Sequence, residues 1–296
     1  MHSLFKRFST SHGFNPRNKV VLITGGADGI GWETSKQLHQ LGAKVVIVDR
    51  NPQAIQKVSK ALGNSVLVIT ADVTDRTAMK YAVEQSIQHF GGLDLVIANA
   101  GITPPSATLR MSSLEDFDKV MAVNVTGVLN TIHPAIETLI EHQGHIVVVA
   151  SCAAFCPPVA GSAYMISKAA VEQLARGLKL ELAHHGVSVT TAYFGVVNTQ
   201  LAQTTLDNDP VGKSLNSRLP TFLRSRLTAQ QAGQVLVGAI FHRAPITIAP
   251  TGWKPYAWLR GIVNPIADQL IIHDKSIKQM LQQLEQHNTP NKHSDQ

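Results

Sequence analysis

Runs of consecutive apolar, largely β-branched residues alternate along this chain with longer amphipathic stretches, the rhythm of strand-helix-strand units that build a parallel sheet. Seven runs read as strands, at 20–24, 44–49, 66–70, 93–98, 145–150, 187–193 and 245–249. Helical periodicity fills the stretches 30–41, 52–62, 76–90, 114–141, 162–185 and 229–242. Val45-Val46-Ile47-Val48 and Ile146-Val147-Val148-Val149 are apolar without alternation, as strands covered by helices on both faces should be. The expectation is an α/β fold with a doubly wound, seven-stranded parallel sheet and helices on both faces, in a single domain with a C-terminal extension.

Two stretches break the rhythm. Residues 199–227 make a long connection after the sixth strand, with Leu201, Leu206, Leu215, Leu219, Phe222 and Leu223 set among polar and basic residues, and a connection of that length reads as a lid loop. Beyond Pro250, an aromatic and apolar extension over 251–281 starts with Trp253, Tyr256 and Trp258, and 282–296 reads as a polar disordered tail. Residues 1–17 read as a flexible basic tail, leaving 18–250 as the core domain.

With 296 residues and 44% hydrophobic content, the chain can bury a sizeable core. The net charge of +6 loses significance once located, because Lys6, Arg7, Arg17 and Lys19 cluster at the N-terminus and Lys213, Arg218, Arg224 and Arg226 in the lid. The body carries no basic stripe with interleaved aromatics, so nucleic acid is not an expected partner. Cys152 and Cys156, the only cysteines, suit neither a zinc knuckle nor a disulfide framework, and the histidines are scattered. No metal site is expected, and a reducing, cytoplasmic setting fits. No apolar run approaches the ~20 residues of a membrane span.

Chemistry enters at the first strand's end. Thr24-Gly25-Gly26-Ala27-Asp28-Gly29-Ile30-Gly31 is a glycine-rich turn running into a helix, where backbone N–H groups and the helix dipole can meet a pyrophosphate. Asp49 closes the second strand, placed to bind adenosine ribose hydroxyls. Its carboxylate repels a 2′-phosphate while adjacent Arg50 attracts one, and with no further cation in the turn NAD is favoured over NADP. Tyr164 and Lys168 stand four apart in a helical stretch and so share a face. A fixed cation beside a phenol favours the phenolate, which would fit the pair for exchanging a proton with an alcohol.

In conjunction, these motifs resemble the short-chain dehydrogenase/reductase family over roughly 18–250. Thr24-Gly25-x-x-x-Gly29-x-Gly31 is similar to its cofactor turn, Asp72-Val73 to its adenine-contacting pair, and Asn99-Ala100-Gly101 to its Asn-Asn-Ala-Gly element with Ala98 replacing the first Asn. Asn124, Ser151, Tyr164 and Lys168 match its catalytic four, with Tyr164 thirteen positions after Ser151. Gly195, Val197 and Thr199 fall in its Pro-Gly-x-x-x-Thr element beside the nicotinamide, with Phe194 where proline is usual, so the local loop path there is less secure. The resemblance implies a Rossmann fold and hydride transfer between nicotinamide and an alcohol or ketone. It assigns Tyr164 as general acid/base, Ser151 as the donor to the substrate oxygen, Lys168 as phenol tuner and ribose holder, and Asn124 as holder of a water linking Lys168 to solvent.

Substrate clues are thinner. Phe155, Pro157, Pro158 and Val159 before Tyr164, with Ile102, Pro104 and Pro105 after Gly101 and a leucine-rich lid, suggest a hydrophobic alcohol or carbonyl substrate. An NADPH-dependent reductase of lipid-like or acyl carbonyls, and a cofactor-binding regulator without turnover, stay open as alternatives. The chain is expected to form a homodimer or homotetramer, with the extension packing between subunits ahead of roofing the pocket or touching a membrane surface.

Overall fold

The computed structural model describes residues 13–287. Seven parallel strands form one sheet in the order β3-β2-β1-β4-β5-β6-β9. They are β1 (Val20–Thr24), β2 (Lys44–Asp49), β3 (Val66–Thr70), β4 (Leu95–Ala98), β5 (His145–Val149), β6 (Ser188–Phe194) and β9 (Ile246–Ala249), while β7 (Val197–Asn198) and β8 (Leu227–Thr228) pair separately. The helices are α1 (Gly29–Gln40), α2 (Pro52–Leu62), α3 (Arg76–Phe90), α4 (Leu114–Met121), α5 (Gly127–Ile132), α6 (Ile136–Glu141), α7 (Ser162–Glu181), α8 (Pro210–Arg218), α9 (Ala229–Phe241), α10 (Trp253–His273) and α11 (Lys275–His287). Buried side chains form one cluster on each face, so Val46 and Val48 point into one layer while Val45 and Ile47 point into the other. Both faces being covered is why these strands lack polar alternation. The chain reverses direction across the sheet between β1 and β4, and their carboxyl ends open a crevice there.

Four expectations need correction. The 1–17 tail is not free throughout: Phe14 is buried in the core and its N–H donates to the Phe241 carbonyl at the end of α9 (2.9 Å), while residues 1–12 lie outside the described range. The lid is helical rather than a loop, with a π-turn at Gln203–Asp207 and α8, capped by the Asp209 carboxylate accepting from Val211 N–H. The polar tail begins inside α11, which runs through His287 because Ile277, Met280 and Leu284 bury one face; the remaining residues lie outside the described range. The stretch 114–141 is not one helix, since a π-turn at Ala122–Thr126 and a 3-10 turn containing Pro134 divide it.

Among the described residues no helix is long and apolar enough to cross a membrane.

At the amino end of the sheet, the fourth strand starts at Leu95, two residues later than expected, and Asp94 turns its carboxylate to Lys19 Nζ (2.6 Å) and Val20 N–H (2.9 Å). Burial pushes this carboxyl up, but the Lys19 and Val20 hydrogen bonds, with His142, hold it below its ordinary value. A carboxyl depressed in the folded state contributes stability that is present above its unfolded value near ~3.9 and is lost as pH falls through the folded one. Asp94→Ala, which leaves the buried Val20 N–H unpaired, should cost about 1–3 kcal/mol in urea unfolding at pH 7. The gap to the native protein should close as the pH is lowered into the range where Asp94 protonates; a gap that persists unchanged there would show that the carboxylate's charge contributes nothing.

Candidate active site

A tie between β1 and β4 builds the crevice floor. Asn99 Nδ2 donates to the carbonyls of Thr24 (3.0 Å) and Gly25 (3.1 Å), and its own N–H reaches Thr24 Oγ1 (3.2 Å). Gly31 lies so close that a Cβ there would overlap the Gly25 carbonyl oxygen and stand 2.6 Å from Asn99 Nδ2. Only glycine lets α1 begin against this edge. Gly29, at φ +53°, likewise makes room for Thr199, whose Cγ2 is 3.2 Å from where a Cβ would be. Thr24 and Gly31 thus stand behind the cavity wall, whereas Gly25, Asp28, Gly29, Ile30, Asn99 and Thr199 line it. Asp28 occupies the N-cap of α1 without making a side-chain cap bond, so the first amides of that helix have no side-chain acceptor.

Asp49 faces the same cavity from the end of β2. Its Oδ1 accepts from Asn51 N–H (3.0 Å) and its Oδ2 from Ala27 N–H (3.3 Å), which joins the carboxylate to the glycine turn. Arg50 lies beside it on the cavity wall and is exposed. Asp72 and Val73, after β3, line the adjoining stretch, and Ala100 and Gly101 continue it toward the catalytic candidates. Asn51 and Ala54 also line the cavity. Sequence reasoning missed them, although Asn51, an N-cap directly after Asp49, carried a usable signal. A glycine turn with uncapped helix amides fits a pyrophosphate, and a fixed carboxylate one strand away fits ribose hydroxyls, so these residues suit a dinucleotide.

Ser151, Tyr164 and Lys168 meet at the cavity's other end. Ser151 follows β5, with its hydroxyl donating to the Phe194 carbonyl (3.3 Å) and accepting from Ala153 N–H (3.1 Å). Tyr164 and Lys168 lie one turn apart on α7, with Lys168 Nζ 5.6 Å from the phenol ring centroid. That ammonium donates to the Val149 carbonyl (3.1 Å). Burial pushes Lys168 down to about 8. Burial also pushes the Tyr164 phenol up, opposed by the Ser151 hydroxyl, which corrects the expectation that the neighbouring cation lowers it. In this buried setting the cost of removing a phenolate from water outweighs the Ser151 hydrogen bond that favours it.

Asn124 is fully buried in the π-turn and does not line the cavity. Both protons of its amide are engaged, on the Ile102 carbonyl and Ser167 Oγ (2.9 Å each), and its oxygen accepts from Ile102 N–H (2.8 Å). The side chain thereby braces the turn after Gly101. Phe194 leaves the local path undisturbed: it continues β6 opposite Ala249, and Gly195 N–H donates to the Ala249 carbonyl (2.8 Å). Gly195 and Val197 then line the cavity.

The cavity measures about 1480 Å³, beyond the ~300–1,000 Å³ that suits one drug-sized ligand. Past Tyr164 its walls become apolar, with Met165, Leu215 and Leu223 from α7 and the lid and Leu259, Val263 and Ile271 from α10. The base of the lid is pinned where β7 pairs with β8. The extension expected first between subunits gives its inner face to this cavity as a roof. Cys152, a buried thiol beside Ser151, and Cys156 both line the cavity; burial pushes both thiols up, which disfavours the thiolate form. Among the described residues no group of three or more His, Cys, Asp or Glu could hold a metal.

Comparison with known proteins agrees with this geometry. The sequence profile of the short chain dehydrogenase family matches residues 19–210. An uncharacterised oxidoreductase of Staphylococcus aureus is 36% identical over 186 residues, covering 62% of this chain and 80% of its own. One from Staphylococcus epidermidis is 33% identical over 190 residues, covering 64% and 82%. A short-chain type dehydrogenase/reductase from Mycobacterium marinum superposes with a TM-score of 0.72 at 27% identity, over 81% of this chain and 96% of that one. With the matched segment spanning the glycine turn, Ser151 and the Tyr164–Lys168 pair, this chain belongs to the short-chain dehydrogenase/reductase family of oxidoreductases.

Proposed function

We propose that the protein interconverts an apolar alcohol and its carbonyl compound using NAD. The observation that carries this reading is one cavity with a glycine turn and fixed carboxylate at one end and Ser151, Tyr164 and Lys168 at the other, continuing into apolar walls. Bound there, a nicotinamide ring supplies the hydride acceptor for oxidation and the hydride donor for reduction. Tyr164 takes the substrate's hydroxyl proton during oxidation and returns it during reduction. Ser151 Oγ releases Phe194 to donate to the substrate oxygen, where charge develops. Lys168 stabilises the phenolate electrostatically and has donors to spare for ribose hydroxyls. The apolar lid and roof keep water from the reacting atoms.

The Asp49 carboxylate, held by two backbone amides, supports NAD. Arg50 on the cavity wall supports a second reading, NADPH-linked reduction of lipid-like carbonyls.

Tyr164→Phe should lower kcat/KM by about 100-fold or more in both directions, followed at the reduced-nicotinamide absorbance band with a panel of apolar secondary alcohols and ketones. Cofactor affinity should change little; turnover surviving the substitution would remove Tyr164 from proton transfer. Tyr164 and Lys168 titrate as a pair, and oxidation requires the pair to have lost one proton whereas reduction requires that proton. Oxidation should therefore rise with pH to the pair's apparent value and reduction fall above it, with Lys168→Met moving both inflections upward. Side-by-side kinetics should favour NAD over NADP, and Asp49→Ala should shrink that preference at least tenfold; a native preference for NADP establishes the second reading instead.

A further inference from the structure

Helix α10 covers one face against the core and the cavity and leaves a second apolar row exposed. Its inner face packs Trp253, Tyr256 and Ala257 against the core and adds three polar anchors: Arg260 pairs with Glu172 (3.0 and 2.5 Å), Asn264 Nδ2 donates to the Phe155 carbonyl (2.9 Å), and the Tyr256 hydroxyl donates to Asn264 Oδ1 (2.7 Å). Its outer face carries Trp258, Ile262, Ile266 and Leu270, spaced by four into one row, with exposures of 84, 68, 59 and 69%. A surface helix ordinarily hides such a row and presents charge outward. Here the charges sit at the margins. Lys254 opens the row, Lys275 and Lys278 follow its far end, and none of the three has an acidic partner among the described residues; Asp268 is the one exposed acid on the helix.

The row is continuous with the cavity. Leu270, at the end of the row, and Leu259, next to Trp258, also line the cavity, so row and cavity wall adjoin along α10. Phe222 of the lid does the same beside the start of the helix, where its carbonyl stands against Gly252. A second copy seated on this row would cover that opening. A lipid surface would instead supply the opening with apolar molecules.

We propose that α10 seats its outer face in the interfacial layer of an anionic lipid surface, and that the substrate is an apolar alcohol or carbonyl compound that enters the cavity from that layer. Trp258 and the isoleucines enter the acyl boundary while Lys254, Lys275 and Lys278 meet the headgroups. The source of the substrate rests on the alcohol/carbonyl reading; the seating of α10 does not.

The full chain, mixed with extruded vesicles of phosphatidylcholine alone or with phosphatidylserine, should float with the vesicles and bind the anionic ones more strongly. Trp258→Ser/Ile262→Ser/Ile266→Ser, three exposed positions outside the cavity, should weaken partitioning by tenfold or more. It should leave the melting temperature and the turnover of a short, water-soluble alcohol unchanged, while slowing turnover of a long-chain alcohol dissolved in the vesicles. Lys254→Glu/Lys275→Glu/Lys278→Glu should abolish the preference for anionic vesicles. No flotation of the native chain overturns the proposal. So does an oligomer, seen by sedimentation, that the triple serine variant dissociates without any change in vesicle binding, which would assign the row to a second copy. Flotation needs no turnover, so a failed hydride assay with intact vesicle binding counts against the alcohol/carbonyl reading and not against the seating of α10.

Discussion

The amide of Asn99, shared between the carbonyls of Thr24 and Gly25, is the tie on which the ligand cleft depends. It fixes the end of β1 against β4 at the place where the strand order reverses. Once that edge is fixed, α1 must start within van der Waals reach of it, and the missing side chain at Gly31 is what makes this possible. The uncapped amides of α1 then face the cavity, and the Ala27 N–H on the same turn draws in the carboxylate of Asp49 from β2. One side-chain amide and one absent methyl group thereby align three strands and a helix for a shared ligand.

At the opposite end of the cavity two forces compete. The lysine beside the phenol would lower its proton affinity in water, yet both groups lie where burial disfavours charge, and burial prevails for each. Burial thus favours the neutral phenol and weakens the lysine's hold on its proton, and each group is sensitive to any ligand that changes those surroundings. Asn124 contributes from behind the wall by fixing the turn after Gly101, which Lys168 adjoins on the other side. Ser151, Tyr164 and Lys168 touch the cavity, whereas Asn124 braces its wall.

The roof follows a different logic. Trp253 and Ala257 pack α10 onto the core, and Arg260, Asn264 and Tyr256 add ion pairing and hydrogen bonds, so the row from Trp258 to Leu270 is not needed for attachment. That row remains on the outside, next to the cavity walls. The lid is joined to the same roof through Arg218, which donates to Ser276 Oγ (2.6 Å) at the junction of α10 and α11. Lid and roof therefore form one apolar enclosure over the reacting end.

Periodicity determined the strands and most helices, because a parallel sheet buried on both faces requires unbroken β-branched runs whatever their partners. Glycines at 25, 29 and 31, Asp49, and the Ser151, Tyr164 and Lys168 spacing were legible for a similar reason: a phosphate turn and a one-turn helical pair are local arrangements. The helical lid was not legible, since its leucines follow no clean period until Asp209 caps α8 and the β7–β8 pairing closes its base. Phe14 and α11 were hidden too, because their apolar residues are few and gain meaning only from the surfaces they cover. Tertiary structure alone decided that Asn124 lies behind the cavity wall, that burial raises the Tyr164 phenol, and that α10 leaves one apolar row uncovered. Each of those depends on what surrounds a group in space, which the order of residues along the chain does not specify.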